Sequence, residues 1–135
     1  NLPLEDNSCD LVINVESSHR YENFGKFLSE VHRVLRNNGL LLFADYRSIK
    51  KMDGLRKDIE EASFKIVKEE FLNRQIVSAL KEAHDRKRQF VKIVTPRYLY
   101  AAGLDYADKL EAKLIQRFEQ KKKLYFNYIL QKRST

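Results

Sequence analysis

Between Cys9 and Asp45 the chain reads as strand, loop, helix, tight turn, strand, and that order leaves few folds open. Cys9-Asp-Leu-Val-Ile-Asn-Val15 and Leu40-Leu-Leu-Phe-Ala44 are short apolar runs. Between them Phe24, Phe27, Leu28, Val31, Val34 and Leu35 recur at three- and four-residue spacing, which predicts a helix over 24–36 with one buried face. Asn37-Asn38-Gly39 stops it, with Asn38-Gly39 supplying the left-handed residue that lets the next strand start at once. The result is a βαβ unit. Strands this apolar, without polar alternation, are expected where both faces are covered, as in the middle of a parallel α/β sheet. The loop from Glu16 to Tyr21 leaves the carboxyl end of the first strand, the edge at which open α/β sheets bind their ligands.

Downstream, Met52 to Ala62 reads as a helix with Asp53 as its N-cap, and Ser63 to Phe71 as a third strand whose wetter face suits a sheet edge. Residues 73–94 return to helical period, carry Arg86-Lys-Arg88 and are ended by Pro96. Tyr98 to Leu104 is a short aromatic segment closed by Gly103. Asp105 then stands where it can cap a further helix along Leu110, Leu114 and Phe118, and Leu124 to Leu130 reads as a last strand. With 135 residues, 43% of them hydrophobic, the chain is expected to form a single domain over 1–135.

The net charge of +7 is unevenly placed: residues 1–45 hold 4 basic and 7 acidic side chains, residues 46–135 hold 22 and 12. A basic half of this kind attracts nucleic acid, an anionic membrane surface or an acidic substrate. Arg86-Lys-Arg88, with Tyr98 and Tyr100 nearby, has no base-stacking platform or RNA-binding motif beside it. It is therefore read as a solvated helix face, which argues against nucleic acid as a partner. No apolar stretch approaches the ~18 residues that span a bilayer, and the opening residues lack a signal-peptide pattern, so no transmembrane segment is expected. The one cysteine, Cys9, permits no internal disulfide, which fits a cytoplasmic location, and it is read as core packing. His32 and His84 have no partners at metal-ligand spacing, so no metal site is expected.

Leu2-Pro-Leu-Glu-Asp-Asn-Ser-Cys-Asp-Leu-Val-Ile-Asn-Val15, together with Phe27-Leu-Ser-Glu-Val-His-Arg-Val-Leu-Arg-Asn-Asn-Gly39, resembles two signatures of class I S-adenosylmethionine-dependent methyltransferases. Those signatures run LPF-x-D-x-S-F-D-x-V and F-L-x-E-x-x-R-V-L-R-P-G-G. Asn14-Val-Glu-Ser-Ser-His19, Ala44-Asp-Tyr-Arg47 and Tyr125-Phe-Asn-Tyr-Ile-Leu-Gln-Lys132 are similar to small-molecule methyltransferases of the phthiotriolone dimycocerosate type. The resemblance implies an α/β, Rossmann-like methyltransferase sheet of which this chain is the C-terminal half. Its strands would be ordered 4-5-7-6 in the family's numbering, with the last strand antiparallel and helices flanking the sheet. The family's glycine-rich loop does not occur here: Gly25, Gly39, Gly54 and Gly103 form no G-x-G pattern.

The resemblance further implies methyl transfer from S-adenosylmethionine to a small, lipid-like hydroxyl acceptor as part of a longer enzyme. Asn14, Val15 and Glu16 would face the cofactor's methionine end, with a purely loop-tying Asn14 as the alternative. His19 and Glu16 are the acid/base pair of the loop; His19 is read as general base or substrate contact, or else as a histidine that staples the loop. Ser17, Tyr21 and Tyr46 are the candidate acceptor contacts, set against local hydrogen bonding for the serine and simple packing for the tyrosines. A non-catalytic α/β dimerisation or binding module is the rival reading, and a basic RNA- or membrane-surface-binding domain is a third. Strand 9–15, long and apolar, is expected to pair with a second copy if it is left as an edge.

Overall fold

The computed structural model describes residues 2–133, apart from the Asp85 side chain. Its elements are β1 (Cys9–Val15), α1 (Phe24–Val34), β2 (Leu35–Ser48), α2 (Met52–Glu61), β3 (Phe64–Phe71), α3 (Asn73–Val94), α4 (Tyr100–Glu119) and β4 (Lys123–Lys132). Single 3₁₀ turns lie at Ser18–Arg20, Ile49–Lys51 and Arg97–Leu99. The chain divides into two compact units, one formed by the residues up to Phe71 together with those from Leu124 on, the other by Leu72–Lys123.

The first unit is a four-stranded sheet ordered β1-β2-β4-β3. β1 and β2 run parallel and β3 and β4 antiparallel. The last strand thus lies between the second and third, as the resemblance implies, and β3 is an edge. Leu28 and Val31 of α1 and Met52, Leu55 and Ile59 of α2 pack with Leu41 and Phe43 of β2 and with Phe126, Tyr128 and Leu130 of β4 in one buried cluster. Cys9 is part-buried against the same cluster, in the packing role expected of it. Both helices of this unit feed one core. On β1 the alternate residues Leu11, Ile13 and Val15 are exposed, so the apolar run does not mean that this strand is covered on both faces.

The junction of α1 and β2 departs from the expected turn. The helix ends at Val34 and Leu35 is already extended, with its side chain fully buried and its carbonyl accepting a 2.6 Å hydrogen bond from the buried Lys132 ammonium. Cys9 pairs with Leu35 and Leu11 with Leu40, so the residues between are extruded from the ladder. Asn38, at φ 64°, takes the left-handed conformation. Gly39 serves a different purpose: a Cβ there would lie 2.8 Å from the Arg36 carbonyl oxygen and 3.1 Å from Leu35 Cδ2.

Two further boundaries differ. Lys51, not Asp53, caps α2; Asp53 sits in the first turn, 3.5 Å from Arg56. α4 begins at Tyr100 and runs straight through Gly103 and Asp105. The 3₁₀ turn after Pro96 has already started the helix, and Ala101, Ala102 and Leu104 outweigh the roughly 1 kcal/mol that one interior glycine costs. Asp105 pairs along the helix with Lys109 at 2.7 Å. In this second unit α3 and α4 are joined by Lys81–Glu119 (2.8 Å), Lys87–Glu111 (2.9 Å) and Arg88–Asp108 (2.9 Å). Asn73 donates to the carbonyls of Phe118 and Lys123 at 2.9 and 2.8 Å. Among the described residues no helix is long and apolar enough to cross a membrane.

Because the contact at Gly39 is with backbone, Gly39→Ala is expected to lower unfolding stability by about 1–3 kcal/mol, read as a reduced urea midpoint at unchanged m-value.

Candidate functional site

The site is built where β1 and β2 end. Glu16 stands at φ 48° while its N–H still donates to the Ala44 carbonyl at 2.9 Å, so the chain turns sharply at the last rung of the ladder. The 3₁₀ turn Ser18–Arg20 then drops Ser18 and His19 onto Asp45, whose side chain is fully buried. Ser18 Oγ and the His19 N–H donate to Asp45 Oδ2 at 2.6 and 2.9 Å. His19 Nδ1 and the Tyr46 N–H donate to Oδ1 at 2.7 and 2.8 Å. Arg47 closes the group at 3.2 Å from Oδ2 and donates to Ser18 Oγ at 2.7 Å. Burial by itself pushes the Asp45 carboxyl up, but the hydrogen bonds from Ser18, Tyr46 and His19 and the Arg47 charge together hold it below its ordinary value.

An ionised carboxylate only accepts hydrogen bonds, so His19 Nδ1 carries a proton, and in the neutral ring Nε2 then presents a lone pair. That lone pair lies 3.2 Å from the Tyr46 hydroxyl, and the two rings stack at 4.5 Å between centroids. His19 also lines a cavity of about 480 Å³ with Ser18, Tyr21, Phe24, Arg47, Lys50, Lys51, Gly54, Leu55 and Asp58. Its wall is part apolar and part cationic.

The remaining candidates fall into two groups. Asn14 is buried; its Nδ2 donates to the Tyr21 hydroxyl at 2.9 Å, and Ser17 Oγ meets the same hydroxyl at 2.9 Å. Asn14 Oδ1 is buried with no partner, an open acceptor at the end of β1. Val15 is exposed beside it. Glu16 accepts a 2.7 Å hydrogen bond from the Tyr125 hydroxyl, and burial together with that bond raises the Tyr125 phenol well above its usual range. The carboxylate that meets His19 is therefore Asp45 and not Glu16. Tyr21 and His19 line the cavity; Ser17 reaches it only through Tyr21, and Tyr46 stands behind His19. Asp45 and Arg47 stand in the Ala44-Asp-Tyr-Arg47 motif, to which sequence reasoning assigns no role at the site. The available signal was an acidic residue closing an apolar strand at the ligand-binding edge.

A family profile described as a methyltransferase domain matches residues 1–43. The phthiotriol/phenolphthiotriol dimycocerosates methyltransferase of Mycobacterium leprae is 33% identical over 106 residues, covering 78% of this chain and 39% of that protein. A fatty-acid O-methyltransferase of Mycolicibacterium smegmatis is 34% identical over 98 residues, 73% of this chain and 36% of that one. A putative sarcosine dimethylglycine methyltransferase from Galdieria sulphuraria superposes with a TM-score of 0.78 at 13% identity, over 98% of this chain and 56% of that one. Phosphoethanolamine N-methyltransferase 2 of Haemonchus contortus, solved with S-adenosyl-L-methionine, superposes at 0.74 with 15% identity, over 98% of this chain and 35% of that one.

With this sheet order and these relatives, the chain belongs to the class I S-adenosylmethionine-dependent methyltransferases. S-adenosylmethionine is the cofactor of that class. Of the curated relatives it matches, the chain spans about two fifths of the length.

A carboxyl held below its ordinary value stabilises the fold at pH above its unfolded pKa of about 4, and that contribution is lost as pH falls through the folded value. Asp45→Asn is therefore expected to flatten the loss of stability between about pH 5 and pH 3, measured as urea midpoints across that range, while lowering stability at neutral pH.

Proposed function

We propose that this chain is the acceptor-facing part of an enzyme that moves a methyl group from S-adenosylmethionine to a small, lipid-like hydroxyl acceptor, with His19 as the general base. The observation that carries the reading is the Asp45–His19 pair at 2.7 Å, with His19 among the residues that line a cavity at the carboxyl edge of the sheet. Relatives named for phthiotriol dimycocerosates and for fatty acids support an acceptor of lipid character.

S-adenosylmethionine, when bound, supplies an electrophilic methyl group. Asn14, Val15 and Glu16 would form the wall toward its methionine end, where the buried Asn14 Oδ1, without a partner among the described residues, would accept a hydrogen bond. On the other side of the loop Phe24 and Leu55 give the cavity its apolar surface, and Tyr21 narrows it. His19 Nε2 would take the acceptor's proton as the acceptor oxygen bonds to the methyl carbon, that carbon's bond to the sulfonium sulfur breaking and S-adenosylhomocysteine leaving, and the Asp45 carboxylate would stabilise the resulting imidazolium. Tyr46 holds Nε2 until the acceptor hydroxyl replaces it. Ser17, bonded to Tyr21, fixes the angle of that ring.

β1 is the outer strand of its sheet and exposes Leu11, Ile13 and Val15. Free backbone edge and apolar face together favour pairing of two copies through Cys9–Val15.

In the enzyme that carries this chain, His19→Gln is expected to lower kcat for lipid methylation by about 10²-fold or more with little change in KM for S-adenosylmethionine. Undiminished turnover would sink the general-base assignment. In light scattering at micromolar concentration the chain is expected to run as a dimer and Ile13→Lys as a monomer; a wild-type monomer would dispose of the strand-edge contact.

A further inference from the structure

The connection from α3 to α4 displays large apolar side chains to solvent. Phe90, Ile93 and Val94 share one face of the last turns of α3 and are 63%, 82% and 56% exposed. Tyr98 and Leu99, in the 3₁₀ turn that follows, are 85% and 48% exposed. All five lie within ten consecutive residues, so they form one patch at the tip of the hairpin. Soluble proteins seldom leave a contiguous apolar patch uncovered, and one rimmed by charge marks a binding surface.

The charge supplies the identity of the partner. Residues 72–123 hold 13 basic and 6 acidic side chains, whereas the rest of the chain holds 13 of each, so the whole net charge of +7 resides on this hairpin. Arg86, Lys92 and Arg97, all exposed, flank the apolar tip. Apolar side chains at the apex, a tyrosine among them and cations around the rim are what a bilayer interface with anionic headgroups selects: the aliphatic groups enter the acyl boundary, the phenol stays at headgroup level and the cations meet phosphate. A nucleic acid backbone would be met by cations alone, whereas here Ile93 and Tyr98 are more than four-fifths exposed among them. We propose that the α3–α4 hairpin docks the protein on an anionic membrane surface through Phe90, Ile93, Val94, Tyr98 and Leu99, without crossing it. This holds whether or not the methyl-transfer reading does.

The test is co-sedimentation of the full chain with vesicles of phosphatidylcholine alone and of phosphatidylcholine mixed equally with phosphatidylglycerol. Binding to the anionic vesicles is expected, at least about tenfold tighter than to the neutral ones and weakened by salt. The combined variant Phe90→Ser, Ile93→Ser, Tyr98→Ser is expected to lose that binding by about tenfold or more with an unchanged circular dichroism spectrum. Should that variant misfold, Tyr98→Trp gives an independent readout, since its fluorescence must shift to the blue on anionic vesicles. Vesicle binding that the triple variant leaves intact, an unshifted Tyr98→Trp spectrum, or binding to a homopolymeric RNA without vesicle binding would each overturn the proposal. So would self-association that survives Ile13→Lys and vanishes in the triple variant, because the patch would then belong to a second copy.

Discussion

The loop that carries the candidate chemistry is held in place chiefly by one buried carboxylate. Asp45 ends the apolar part of β2 with no exposure at all, and it is surrounded by donors from Ser18, His19, Tyr46 and Arg47. Leaving such a carboxylate without partners would cost several kcal/mol, so whatever brings the donors in is strongly favoured. Ser18 and His19 can reach Oδ1 and Oδ2 only if the chain reverses at Glu16 and tightens into a single 3₁₀ turn. The left-handed backbone at Glu16, unfavourable for a side chain of that size, is offset by the donors it delivers. Charge, rather than apolar packing, thus decides the shape of a loop with little to bury.

How much of this was legible in the sequence depended on whether a local signal agreed with the tertiary contact. β1 and α3 have their expected bounds because a short, mainly apolar run and a proline stop leave little freedom. The end of α1 was not legible, since Leu35 continues the helical period perfectly well. The backbone turns extended at Leu35, where its carbonyl is taken by the buried Lys132 ammonium, 97 residues away in sequence. Gly103 and Asp105 look like punctuation, yet a helix already started at Tyr100 passes through them. At the site, His19 and Tyr21 could be picked out by residue type and loop position, and the cavity includes both. The pairing of His19 with Asp45 could not, because Glu16 is nearer in sequence and only the register of β1 on β2, Val15 opposite Ala44, brings Asp45 under the turn.

The two units meet the cost of ordering by different means. The sheet unit buries a continuous apolar cluster. In the α3–α4 unit only Leu104 and Phe118 are buried among the described residues, and charged pairs line the helices. Such exposed pairs are worth roughly 0–1 kcal/mol each and weaken in salt, which places the hairpin among the less protected parts of the chain. A segment of low local stability that also carries the whole net charge is poorly suited to scaffolding and well suited to meeting a partner. Its apolar side chains are spent on its surface rather than on its interior.

The apolar part of β2 gives way to Asp45 and Arg47. A buried carboxylate and guanidinium at 3.2 Å are not an efficient way to close a sheet edge, since well-packed apolar residues of similar volume often do so at equal or greater stability. Folding alone gives little reason for the pair. An apolar replacement could fill the space under His19 but could not orient its ring, because only an acceptor at Nδ1 places the Nδ1 proton on that side and turns Nε2 toward the Tyr46 hydroxyl. The hydrogen bonds from Ser18, Tyr46 and His19, with the Arg47 charge behind them, keep Asp45 ionised, and Arg47 also binds Ser18, so the acceptor survives burial. The arrangement makes physical sense as a device for holding one imidazole in a fixed orientation at the carboxyl edge of the sheet.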